Sequence, residues 1–158
     1  MDRADIVIEA SRPRALAQLG IDAPDWVARG AGRVWVSITG HGRDGDGATR
    51  VAFGDDAAVA GGLVVWEGGQ PRFCADAVAD PLTGVAAAAA VVDAWAGAGS
   101  VLLAASMAGV AAEAAGATID VVTVGRIDAP PRARPAIGRS PALGADTAQV
   151  LVDWEIDR

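Results

Sequence analysis

Val34-Trp35-Val36-Ser37-Ile38 reads as a β-strand, closed by Thr39-Gly40-His41-Gly42 and a glycine- and aspartate-rich loop to about Gly47. Upstream, Asp5-Ile6-Val7-Ile8-Glu9 is a second short run rich in β-branched residues. Arg12-Pro13 follows as a turn that can open a helix through Leu19, with Gly20 as its stop. Two strands with a helical stretch between them suit a βαβ unit, because parallel strands need a crossover. The expected class is α/β, a partial Rossmann-like parallel sheet with flanking alanine-rich helices and an extended C-terminal arm.

Working outward, a small-residue helix is expected from Asp55 to about Leu63, broken by Trp66-Glu67-Gly68-Gly69-Gln70-Pro71. Thr83 to Trp95 is the strongest helix, because alanine is the best helix former. Ser100-Val101-Leu102-Leu103-Ala104-Ala105 reads as a third strand leading into a helix from Met107 to Ala115. Beyond Gly116 the texture changes. Ile119 to Val124 suggests an edge strand, whereas the proline-rich run from Ala129 to Pro135 lacks the backbone donors that regular structure needs. A last helix is expected from Asp146 as N-cap, with Val150, Leu151 and Trp154 on one face. These readings divide the chain into a core at 1–116 and an arm with a terminal helix at 117–158.

Composition narrows the function classes. The 158 residues are 52% hydrophobic, enough for one packed core. Formal charge is 13 − 20 = −7, and every positive residue is an arginine. An acidic chain argues against nonspecific binding to nucleic acid or anionic membrane. The apolar runs are far shorter than a membrane span, and MDRADIVIEA shows no basic-then-apolar leader pattern, so a cytoplasmic protein is expected. Cys74 is the sole cysteine and His41 the sole histidine. A small buried side chain is the simpler reading of Cys74 than a thiol nucleophile. Aspartates 44, 46, 55 and 56 lack the glutamate of a calcium loop, and the glycines near His41 lack the Walker lysine, so no metal is expected.

The most informative segment is Ala79-Asp80-Pro81-Leu82-Thr83-Gly84, at the head of the alanine-rich helix. A carboxylate there is favoured by the helix dipole and by unpaired backbone N–H groups, which suits either a simple cap or an oxygen nucleophile. Followed by an alanine-rich helix, this segment resembles the catalytic-aspartate motif of family III CoA-transferases, the formyl-CoA transferase and carnitine- and bile-acid-inducible transferase group. The Asp5-to-Leu16 stretch, with Glu9 and Arg12-Pro13, is similar to that family's "D-v-v-i-E-n-f-R-P-g-v-l". Val36-Ser37-Ile38-Thr39-Gly40-His41-Gly42 resembles "v-S-I-s-G-F/Y-G". Ser100 to Val110 and Pro141 to Thr147 continue the likeness in the same order.

The resemblance implies CoA transfer between an acyl-CoA and a carboxylic acid, with Asp80 as the catalytic carboxylate and an aspartyl anhydride and thioester as intermediates. It implies CoA or substrate contacts at Ser11, Arg12, Gln18, Leu19 and His41, and oxyanion donors near Thr83 and Gly84. No permanently bound cofactor is implied, coenzyme A thioester being a substrate. It also implies a homodimer or association with a fuller homologous chain. The same family holds 2-methylacyl-CoA racemases, whose "G-H-D" histidine falls at Asp55 when Phe53-Gly54-Asp55-Asp56 is matched to it. A carboxylate there favours the transferase branch. Members are much longer, so a shortened form is expected. The alternative is a noncatalytic homologue serving as a partner subunit or acyl-CoA-binding module.

Overall fold

The computed structural model describes residues 1, 3–97, 99–116 and 135–156. The chain divides into two compact units, Met1–Asp120 and Val121–Arg158. In chain order the first holds β1 (Ile6–Glu9), α1 (Pro13–Gln18), α2 (Ala23–Ala28), β2 (Val34–Thr39), α3 (Gly54–Ala60), β3 (Val64–Glu67), β4 (Gln70–Phe73), α4 (Ala79–Ala96), β5 (Val101–Ser106) and α5 (Met107–Ala115). The second holds α6 (Thr147–Asp153).

β1, β2 and β5 form a parallel sheet with β2 in the centre, as the βαβ spacing implies. Val34 pairs with Ile6 on one side and Val101 on the other. Val34, Trp35, Val36 and Ser37 are all buried, because a central parallel strand is covered on both faces. Val34 and Val36 pack on Ala87 of α4, while Trp35 packs on Trp26 and Ala23 of α2. The two tryptophan rings meet edge to face with centroids 5.5 Å apart. The Arg33 guanidinium lies 4.7 Å from the Trp26 ring centroid, and its Nη1 donates to the Trp26 carbonyl at 2.9 Å. Cation–π attraction and a charged hydrogen bond thus fasten α2 to the sheet.

The structure differs from the sequence reading in four places. First, the crossover from β1 to β2 carries two short helices. Asp22 caps the second by accepting from the Asp25 amide at 2.8 Å. Second, the stretch read only as a helix breaker is the antiparallel hairpin β3–β4, turning on Gly68 and Gly69 at φ of 58° and 78°. Left-handed φ at both central residues is what a tight two-residue hairpin turn demands. Third, α4 begins at Ala79, four residues before the expected Thr83, because Pro81 sits in the first turn, where its missing N–H costs nothing. Fourth, Cys74, expected buried, is exposed just past β4.

α5 keeps its expected limits, starting where β5 stops. Ser106 is its N-cap, its Oγ accepting from the Gly109 amide at 3.2 Å. Ser106→Ala is expected to lower stability by about 1 kcal/mol, read as a shifted urea midpoint at unchanged slope. In the second unit α6 follows Asp146, which makes no side-chain cap bond. The expected edge strand at 119–124, and all of the proline-rich run except Pro135, lie outside the described residues. Among the described residues no helix is long and apolar enough to cross a membrane.

Candidate functional site

The carboxyl ends of parallel strands are where α/β sheets present ligand sites, since the loops leaving them splay apart there. In this chain a cleft of about 360 Å³ opens at that end. Its walls are the turn Ala10–Pro13 after β1, Ile38–Gly40 at the end of β2, Met107 after β5, and residues 48 and 50–53 of the loop before α3. Asp80 projects from the first turn of α4 into this cleft.

Local bonds fix the walls. Glu9, the last residue of β1, accepts from the Ser11 amide at 2.7 Å through Oε2, and from Trp35 Nε1 at 3.4 Å through Oε1. The turn bearing Ser11 and Arg12 is therefore pinned to the central strand. On the opposite side, the Ala108 amide donates to the Gly40 carbonyl at 3.0 Å, joining the ends of β2 and α5. A second hollow of about 500 Å³ shares Ala10, Ser11, Arg12 and Ala48 with the first, and adds Arg14, Gln18 and Thr49. The two form one trough with Arg12 at the junction.

Asp80 is exposed on the cleft side. Among the described residues its carboxylate has no hydrogen-bond or ion-pair partner; the pairs Arg29–Asp25 and Arg72–Glu67 lie elsewhere. Its backbone is tightly held. The Asp80 amide donates to the Ala77 carbonyl at 3.0 Å, and the Ala77 amide donates to Asp55 Oδ1 at 2.7 Å. Across this turn stands Gly54, the first residue of α3: a Cβ there would lie 2.6 Å from the Ala77 carbonyl oxygen and 2.7 Å from Asp80 Oδ2. Position 54, not 55, therefore faces Asp80. The Asp55 carboxylate, at the position matched to the racemase histidine, is turned to the Ala77 amide. Glycine at 54 gives Asp80 no acid–base partner there.

The other expected residues divide. Ser11 and Arg12 line both hollows, and Gln18 lines the second. Leu19 is 73% exposed and lines neither, since it ends α1 pointing outward. His41 is half-buried and lines neither, because the chain turns there and Gly47 packs on its carbonyl. Thr83 is buried, its hydroxyl donating to the Ala79 carbonyl at 2.6 Å. With α4 starting at Ala79, the amides of Thr83 and Gly84 belong to the helix ladder, and neither residue lines the cleft. Arg14, Arg50, Phe53 and Met107 line the trough without having been expected. A lone arginine in a loop, among thirteen in the chain, gives no signal of its own.

A parallel α/β core with a carboxylate-bearing cleft at its strand ends defines the class of protein. The CoA-transferase family III model matches residues 1–140, and the chain belongs to that family. Among solved structures, a CAIB/BAIF family protein from Brucella suis is similar at 23% identity with a TM-score of 0.65, over 73% of this chain and 32% of that one. Rv3272 from Mycobacterium tuberculosis is similar at 24% identity and the same TM-score, over 72% of this chain and 34% of that one. The chain thus spans about a third of the length of these structures. No curated protein matches it.

Proposed function

We propose that the chain carries the carboxylate half of a family III CoA-transferase site, with Asp80 as the nucleophile and the chemistry confined to the 1–116 core. The observation that supports this reading is a carboxylate unpaired among the described residues, on a stiffly held turn, lining a cleft continuous with an arginine-bearing trough. An Asp80 oxygen attacks the acyl-CoA carbonyl and expels CoA thiolate, leaving a mixed anhydride. The thiolate then attacks the Asp80 carbonyl carbon, releasing the donor acid and forming an aspartyl-CoA thioester. The acceptor carboxylate attacks that thioester, giving a second anhydride and free thiolate. Attack of the thiolate on the acceptor carbonyl yields the new acyl-CoA and restores Asp80.

In this reading Arg12, at the junction of the hollows, and Arg50 face the anionic parts of the substrates, with Ser11 and Gln18 beside them. The acyl donor and acid acceptor are the small-molecule partners, in a cytoplasmic setting. Incubation with an acyl-CoA followed by hydroxylamine tests the reading: conversion of Asp80 to a hydroxamate, seen by peptide mass spectrometry, is expected, and an unmodified Asp80 overturns it. Arg12→Ala is expected to weaken CoA binding about tenfold in calorimetric titration, the order of a lost charged hydrogen bond.

A second reading, a noncatalytic partner for a fuller homologous chain, draws on α4. Val85, Val92 and Trp95 on that helix are exposed, an apolar surface of the kind a partner covers. A binding partner would take up CoA equally well with Asp80→Ala and would yield no hydroxamate.

A further inference from the structure

We infer that Asp55 is a positioning residue for Asp80, acting through the backbone of Ala77; the inference rests on the reading of Asp80 as nucleophile. Ala77 has φ of 45°, in the left-handed region that alanine seldom enters, so its conformation must be imposed by its surroundings. Both of its backbone groups are engaged. Its N–H donates to Asp55 Oδ1 at 2.7 Å, and its carbonyl accepts from the Asp80 amide at 3.0 Å. Asp55 comes from the first turn of α3 and Asp80 from the first turn of α4, so the alanine is a single-residue coupling between two helix starts.

The remaining contacts leave little freedom. Gly54 stands against the Cα and carbonyl of Ala77, and the neighbouring Asp56 is occupied in accepting from the Phe53 amide at 2.7 Å. Asp55 is half-buried and does not line the cleft, which separates it from groups that touch substrate. What it controls is the direction in which the peptide at 77 faces, and therefore where α4 begins. Without that acceptor, Ala77 has every steric reason to return to a right-handed or extended φ, carrying the Asp80 amide and side chain with it.

The test compares Asp55→Ala with Asp55→Asn, whose side-chain oxygen can still accept from the Ala77 amide. Acyl transfer is followed with acetyl-CoA, and amide exchange at Ala77 is followed in the same samples. Asp55→Ala is expected to lower kcat about 100-fold, as a misplaced reacting group does, with KM for acyl-CoA moved less than about twofold. Ala77 exchange should quicken about tenfold while amides of β2 and α5 keep their protection. Asp55→Asn should restore both.

Unchanged turnover and exchange in Asp55→Ala overturn the inference, as does loss of protection throughout the core, which would make Asp55 a general fold residue. An Asp55→Asn variant as damaged as Asp55→Ala also overturns it, by pointing to the charge. If the native chain acquires no acyl group, the nucleophile reading fails and the positioning role with it. Quickened Ala77 exchange in Asp55→Ala would then still show the latch, so the two failures are told apart.

Discussion

Asp80→Ala is expected to abolish acyl transfer, by about 10⁴-fold or more, while leaving the far-ultraviolet dichroism and the unfolding midpoint close to those of the native chain. The size follows from the proposed role: removing a nucleophile removes the covalent path itself, and what remains is binding alone. The small structural effect follows from exposure. The carboxylate accepts no hydrogen bond among the described residues, and the first turn of α4 is held by backbone contacts at Ala77 that alanine at 80 retains. Asp80→Asn should behave alike, since an amide oxygen is a far weaker nucleophile. Full activity in either variant would move the chemistry elsewhere.

Gly54→Ala is the second large effect, and here both stability and activity should fall. The added methyl would come within 2.6 Å of the Ala77 carbonyl oxygen and 2.8 Å of its Cα. Those are backbone atoms, so no side-chain rotation relieves the clash and the 75–79 turn must shift away from α3. Overpacking of this kind costs about 1–3 kcal/mol. The shift also separates the Ala77 amide from Asp55, so transfer should drop by about 100-fold even where the fold survives. Thermal unfolding and single-turnover kinetics on one preparation check both parts. A variant as stable and active as the native chain would mean that this turn is looser than its contacts indicate.

How much of this was legible beforehand depends on the scale of the interaction. The three parallel strands and α5 were readable because short apolar runs and an alanine-rich stretch carry their signal locally. Asp80 stood out as a candidate because it sits in a short motif next to a helix. The hairpin was missed because Gly68-Gly69 was weighed only as an interruption, although two adjacent glycines between Trp66 and Pro71 also permit a tight reversal. The start of α4 was missed because the expected helix was drawn over the alanine-rich run, although Pro81 is harmless in a first turn. The Asp55–Ala77–Asp80 coupling was beyond reach for a different reason. It joins residues 22 positions apart through backbone groups, which no side-chain pattern records.

The direct passage from β5 into α5 at Ser106 and Met107 has a mechanical corollary. With no connecting loop, a capped first turn and the Ala108 amide bonded to Gly40, the Met107 side of the cleft moves only if the sheet moves. The facing side, residues 48–53, is held by local bonds: the Arg50 amide donates to the Gly47 carbonyl at 3.1 Å, Thr49 Oγ1 donates to the Asp46 carbonyl at 3.2 Å, and the Phe53 amide donates to Asp56 Oδ1 at 2.7 Å. Under the proposed function, a thioester entering this cleft would meet one wall fastened to the sheet and another held only by local turns.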